Sequence, residues 1–256
     1  DLVGDRMDTN VISVTTMEDQ ESVAEKFKKY DLTAMPVVDG ENRLVGIVTV
    51  DDAIDVMEEE ATEDIEKMAA MTPSDKPYLK TSVWDIYKHR IPWLMLLMVS
   101  ATFTGLIITK FEHALAAQVV LTAYIPMLMD TGGNSGSQSS VTIIRGLSLS
   151  EIHFKDIFAV LWKEIRVAVL CGLSLAVVNF AKLLLLDRVG AQVALVVSLT
   201  LVVTVAAAKF IGCTLPLLAK KIGFDPAVMA SPLITTIVDA LALLTYFGIA
   251  SSLLHI

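Results

Sequence analysis

The chain has 256 residues, 54% of them hydrophobic, a mean hydropathy of +0.61 and a net charge of −9. That hydropathy excludes an ordinary soluble domain, and the negative balance gives no footing for a nucleic-acid partner. Residues 1–90 carry 21 Asp/Glu against 10 Lys/Arg, whereas residues 91–256 carry 8 against 10, so an acidic soluble head precedes an apolar part that faces lipid.

The opening residues Asp1 to Arg6 lack the charged-then-apolar pattern of a secretory leader. The head reads β-α-β-β-α. Val11–Val14 forms a short strand, and Glu21–Tyr30 has helical spacing with Val23, Phe27 and Tyr30 on one face. Ala34–Val38 and Arg43–Val50 are strands joined by the turn Asp39-Gly40-Glu41-Asn42, and a helix follows from Asp51 to Met71. Pro73 and Pro77 mark a linker, after which Ser82–Arg90, with Trp84, Ile86 and Tyr87, reads as an amphipathic helix approaching the membrane.

A span needs roughly 20 apolar residues to cross a ~30 Å hydrocarbon core. Five stretches qualify as spans: Ile91–Thr109, Ala114–Met129, Val167–Leu186, Val189–Ala208 and Pro226–Leu254. Lys88 and Arg90, then Arg145, Lys155, Lys163 and Arg166, then Lys220 and Lys221 put the basic connections on the side of the head. The positive-inside rule therefore places the head in the cytoplasm and the C-terminus outside, in the cell membrane. The fold class is an α+β head followed by an all-α membrane domain of five transmembrane helices. Cys171 and Cys213 lie in apolar runs and read as small buried hydrophobes.

Two membrane features carry chemistry. The first is the run from Pro126 to Ser140, with Gly132, Gly133, Asn134 and Gly136. Proline removes a helix hydrogen bond and glycines loosen the backbone, so a broken helix would free carbonyls as cation ligands or water anchors. A glycine face for close helix packing would use the same residues. A phosphate loop fits poorly, since no Gly-Lys-Ser/Thr follows. The second feature is Asp239, the one charge in the last span, with Thr235 and Thr236 one turn before it. A lone intramembrane carboxylate costs roughly 2.5–3.5 kcal/mol on insertion scales. Carboxylate and hydroxyl oxygens suit a hard cation, and a packing hydrogen bond across helices is the plainer alternative. Glu164, beside Lys163 and Arg166, reads as a solvated charge, and Asn179 as a helix–helix hydrogen bond. Met95, Met98, Met127 and Met129 read as packing or lipid contacts.

In the head, Asp52, Asp55, Glu60, Glu63 and Asp64 belong to an acidic helix with like charges at i,i+4, as in Asp55/Glu59 and Glu60/Asp64. Such a run is a solvated face, or a cation sensor in which bound ions relieve the repulsion. No nucleophile–base set is visible and the four histidines are isolated, so the chain is expected not to be an enzyme.

Met7-Asp8, Met35-Pro36-Val37-Val38-Asp39 and Leu44 to Asp52 resemble one CBS domain. Pro126 through Ser140 and Pro232 through Asp239 resemble the pore segments of the MgtE family of magnesium channels, and the resemblance covers nearly the whole chain. It implies a CBS domain over residues 1–72, a linker and plug helix over 73–90, and a pore domain over 91–256. It further implies a homodimer in the lipid bilayer with Mg²⁺ as substrate and regulator, conducted between subunits. Asp239 would hold hydrated Mg²⁺, helped by carbonyls near Thr235 and by Gly133, Asn134 and Gly136. Asp52, Asp55, Glu60, Glu63 and Asp64 would bind regulatory Mg²⁺. Thr49 and Asp52 match a ribose contact of nucleotide-binding CBS domains, which would make ATP a ligand. The family's helical N-terminal domain and first CBS domain are not among these 256 residues, so a truncation or a short member is expected. A Mn²⁺ or Co²⁺ transporter and a membrane-anchored sensor are the rival readings.

Overall fold

A computed structural model of the chain describes Met7, residues 10–74 and residues 76–255. Asp8 and the opening residues Asp1 to Arg6 lie outside the described residues. The chain divides into two compact units, Asp1–Asp64 and Ile65–Ile256.

The first unit holds strands β1 (Val14–Thr15), β2 (Ala34–Val38) and β3 (Leu44–Thr49), helix α1 (Gln20–Tyr30) and most of α2 (Val50–Met68). The sheet order is β1-β2-β3, with β1 parallel and β3 antiparallel to β2. Strand β1 is shorter than the expected Val11–Val14 and pairs only with Val37 and Val38. Pro36 lies next along β2 and has no N–H to give a longer ladder. The Asp39 carboxylate accepts from the backbone N–H groups of Glu41 and Arg43, which folds the hairpin turn. Val14, Ala24, Phe27, Met35 and Ala53 make this unit's core.

The second unit contains α3 (Val83–Lys110), α4 (Glu112–Ala117), α5 (Ile125–Ser148), α6 (Ile157–Leu185), α7 (Ala191–Lys221) and α8 (Ser231–Leu254). Helix α3 starts at Ser82, whose hydroxyl accepts from the Asp85 N–H, and runs without interruption from the amphipathic stretch into the first span. None of its apolar stretch is buried within the chain (0%), whereas 56% of that of α7 is, which makes α7 the central helix and α3 a peripheral one. Residues from α5, α6, α7 and α8, among them Leu128, Leu183, Val197, Leu201, Tyr246 and Phe247, form the main core.

Among the described residues, four helical stretches, based on α3, α6, α7 and α8, are long and apolar enough to cross a membrane. The expected second span, Ala114–Met129, is not one helix. The chain turns at Gln118 after α4, passes through a 3₁₀ segment at Val119–Tyr124, and only then enters α5. This irregular backbone is sheltered by protein: Leu121 is fully buried and its carbonyl accepts from the Tyr246 hydroxyl at 3.0 Å. Cys213 is buried as expected, but Cys171 is exposed on the outer face of α6.

The tightest crossing joins α5 to α7. A methyl group built on Gly212 would lie 2.2 Å from the Gly136 carbonyl oxygen. Gly212→Ala is therefore expected to destabilise the membrane unit by about 1–3 kcal/mol. Gly248→Ala, in α8 with open space around it, serves as the control. Thermal unfolding in detergent tests this, and equal midpoints for the two variants would show that the crossing is looser than described.

Candidate cation site

The glycine run is a continuous helix, not a break. Pro126 sits in the first turn of α5, where its missing N–H has no helical partner to lose, and helical hydrogen bonding continues through Ser148. The glycines serve close packing instead. Methyl groups added at Gly132, Gly133 and Gly136 would meet Val238, Thr235 and Ile234 of α8 at 2.8, 2.9 and 2.8 Å. The Gly133 carbonyl accepts from the Ser137 hydroxyl at 2.8 Å. Gly133 and Gly136 are both buried, and Asn134 is exposed.

These contacts also set α5 and α8 antiparallel, with residue numbers rising on one as they fall on the other. Continued by half a turn, the register brings Asp130 of α5 level with Asp239 of α8, and the two carboxylates interact electrostatically. Asp239 is half-buried and Asp130 exposed. Among the described residues, no hydrogen-bond donor or basic group pairs with the Asp239 carboxylate. The hydroxyls of Thr235 and Thr236 both donate to the Pro232 carbonyl, at 2.9 and 3.0 Å, which leaves their oxygen lone pairs as acceptors or ligands.

Asp130, Asn134 and Gln138 are all exposed and spaced four apart, so they form one polar stripe along α5. Sequence reasoning had singled out only Asn134 of the three. The i,i+4 spacing was the signal available for Asp130 and Gln138.

A second charged group lies inside the bundle. Lys209 of α7 is 5% exposed. Its ammonium is 3.9 Å from a Glu164 carboxylate oxygen and donates to the Ser139 hydroxyl at 3.3 Å, while Ser139 donates to the same Glu164 oxygen at 2.6 Å. Glu164 is therefore not a solvated charge. Its sequence neighbours Lys163 and Arg166 are on other faces of α6, and its partner comes from another helix. Removing one partner of such a buried pair costs about 3–5 kcal/mol. Asn179 is buried, but its side-chain nitrogen has no acceptor among the described residues, contrary to the expected interhelical bond.

In the head, Asp52 and Asp55 are exposed, and Glu60, Glu63 and Asp64 are partly buried along α2. Glu60 accepts from the Gln20 side chain at 2.9 Å. Among the described residues no three acidic, His or Cys side chains converge on one point, so a regulatory ion here needs water or ligands from a further element. Thr49 and Asp52 are brought together. The Asp52 carboxylate accepts from the Thr49 hydroxyl at 2.5 Å and from its N–H at 3.1 Å, half of a capping box at the start of α2. A cavity of about 280 Å³ beside them is lined by Val14, Glu18, Val23, Val48, Asp52 and Val56.

The last turn of α2 belongs to the second unit. Lys67 pairs with Asp225 at 2.6 Å, and the other Asp225 oxygen accepts from the Ala227 N–H at 2.8 Å in the turn that leads to α8. Met68 packs on Ile144, Ala227 and Ala230.

The fold and site thus point to a multi-pass membrane protein with a small α/β head and a carboxylate in its last apolar helix that has no partner among the described residues. Residues 125–249 match the MgtE family model, described as a divalent cation transporter, and residues 3–59 match the CBS domain model. The chain is 41% identical to a magnesium transporter MgtE of Thermus thermophilus, over 99% of this chain and 56% of that protein. It is 40% identical to a magnesium transporter MgtE of Bacillus subtilis, over 99% of this chain and 55% of that protein, and 32% identical to one of Enterococcus faecalis, over 98% and 54%. The chain spans about half the length of these relatives. It carries an MgtE-family domain together with a CBS domain.

One consequence for the head is dependent on pH. The Thr49 hydroxyl, and then its N–H, hold the Asp52 carboxyl below its ordinary range. A depressed carboxyl stabilises the fold above its unfolded value of about 3.9 and loses that contribution as pH falls through the lower folded value. Amide exchange in the first turn of α2 should be slower in the wild type than in Asp52→Asn at neutral pH. The difference should fade below about pH 4. A difference that persists in strong acid would remove the carboxylate from this role.

Proposed function

We propose that the chain conducts Mg²⁺ across the membrane as a homodimer, through a path between the α5 and α8 faces of two copies. The observation that carries this reading is the Asp239 carboxylate, half-buried beside a polar stripe and without a counter-charge among the described residues. Two like charges at one level of the bundle repel, and a divalent cation relieves that repulsion. Mg²⁺ dehydrates reluctantly and is commonly held by one or two carboxylates through its waters. Two-fold symmetry would double Asp239, Thr235, Asn134 and Asp130 around one axis. Gly133 and Gly136 contribute by letting α8 approach α5, so that Thr235 meets Gly133 and Asp239 stands level with Asp130.

A stripe of Asp, Asn and Gln is costly against lipid, so its exposure in one chain favours a second protein surface there. Helix α5 would be the fifth span. It is 24 residues long, and its partners α7 and α8 cover the small polar residues that keep it from reading as a lipid-facing helix. The basic connections put the head in the cytoplasm and the C-terminus outside.

Gating by cytosolic Mg²⁺ at Asp52, Asp55, Glu60, Glu63 and Asp64 belongs to the same proposal. Its support is that α2 is one unbroken helix whose last turn touches the lead-in to α8. ATP in the head cavity, near Thr49 and Asp52, is a second proposed ligand, favoured by a largely apolar pocket with Glu18 and Asp52 at its edge. A pure sensor has no use for an unpaired carboxylate at membrane depth. A Mn²⁺ or Co²⁺ transporter would use the same oxygens and is separated by ion competition.

Flux into proteoliposomes, normalised per folded protein, is the test. Asp239→Ala and Asp239→Asn should each lower Mg²⁺ flux by about tenfold or more, equivalent to at least about 1.4 kcal/mol of lost cation stabilisation. Both should fold at least as well as the wild type, since a membrane charge is removed. Wild-type flux in well-folded Asp239→Ala would sink the pore assignment.

The gating part is read separately. In the full-length protein, neutralising Asp55, Glu60, Glu63 and Asp64 together should leave flux open at internal Mg²⁺ levels that close the wild type. An unchanged closing concentration would reduce the acidic run to a solvated face.

A further inference from the structure

We infer that Lys209 and Glu164 are positioning residues for conduction: their ion pair, bridged by the Ser139 hydroxyl, sets the rotation of α5 and hence where its polar stripe points. The inference rests on the pore reading above.

One hydroxyl joins three helices. Ser139 of α5 donates to Glu164 of α6 at 2.6 Å and accepts from Lys209 of α7 at 3.3 Å. Its neighbour Ser140 donates to the Met229 carbonyl at 3.2 Å, in the turn that feeds α8. Successive residues of a helix point about 100° apart, so the two serines hold α5 from two directions. One turn earlier, Gly136 is seated against the Ala208 carbonyl and against Gly212. Ala208 immediately precedes Lys209, so the charged bridge and the tight backbone crossing are the same joint.

Packing turns the glycine face of this helix inward, onto Val238, Thr235 and Ile234 of α8 and Gly212 of α7. Within that face, van der Waals contact has no preferred direction of its own. A hydrogen-bonded charge pair has a required direction. Turning a helix of about 5 Å radius by 20° moves a side chain by about 2 Å, enough to displace Asp130 and Asn134 from the level and facing of Asp239. Shape could be satisfied more cheaply by apolar residues, and a buried ion pair in a membrane helix is retained where direction matters.

The test uses the full chain in proteoliposomes, with two readouts. One is Mg²⁺ flux per folded protein. The other is independent of flux: the rate at which a charged methanethiosulfonate labels Asn134→Cys, in a background of Cys171→Ser and Cys213→Ala. Lys209→Met and Glu164→Gln should each change the labelling rate several-fold and lower flux by about tenfold, as small misplacements of binding groups do. The reversed pair Lys209→Glu with Glu164→Lys should restore both readouts most of the way. Single variants that fold and keep the wild-type labelling rate overturn the inference. If the single variants do not fold, the apolar pair Lys209→Met with Glu164→Leu decides: wild-type labelling and flux there overturn it, and altered labelling with reduced flux upholds it. A changed labelling rate in a protein whose wild type carries no Mg²⁺ upholds the setting of α5 and overturns the pore reading instead.

Discussion

The membrane unit depends on one close approach, the seating of Gly136 of α5 against Gly212 and the Ala208 carbonyl of α7. Lipid tails are as apolar as leucine, so no hydrophobic force pulls helices together inside a bilayer, and contact between backbones has to supply the association. Small residues permit that contact. Once the glycine face of α5 is turned inward onto α7 and α8, the position of its other side follows. Asp130, Asn134 and Gln138 must look out of the bundle. The two faces of α5 thus set the assembly problem: the inner one is complete within the chain, and the outer one is unsuited to lipid.

The charges inside the bundle are treated in two ways. Lys209 and Glu164 neutralise each other through Ser139 and offer nothing to an incoming ion. Asp239 and Asp130 have the opposite arrangement, like charges at one level with no cation from the protein among the described residues. A bundle able to place a lysine opposite a glutamate could have done the same for Asp239. It does so at one site, while at the other no counter-charge stands among the described residues.

Much of the head was legible because its signals are local. The helix spacing, the Asp39–Asn42 turn and the strands around it are read from short windows, and they fall within one to three residues of their observed limits. The first strand was overextended because the missing donor belongs to Pro36, on a neighbouring strand. In the membrane unit hydropathy alone misled at Ala114–Met129, since a buried 3₁₀ segment and a span are equally apolar. Proline and glycine were read as breaking α5, but Pro126 starts the helix and the glycines pack it. Glu164 looked solvated because its chain neighbours are basic. Lys209 went unnoticed because the apolar window closes at Ala208, although the helix runs on to Lys221. Those errors share one cause: partners on other helices leave no mark in a linear window.

The remaining question is how an acidic helix in the head could act on a carboxylate in the membrane. Helix α2 is continuous from Val50 to Met68, so a displacement along it need not be absorbed by a loop before its last turn. There Lys67 meets one oxygen of Asp225, and the other oxygen caps the turn that leads through Pro232 to Thr235 and Asp239. The two side chains are 23% and 34% exposed, and contacts of that kind are worth about 0–1 kcal/mol. A weak latch is the useful kind. Like-charge relief along α2, at a few tenths of a kcal/mol for each i,i+4 pair, sums to the same size as the contact it would shift. A deeply buried ion pair at this joint would hold α8 more firmly, and the buried pair of this unit lies elsewhere, at Lys209 and Glu164.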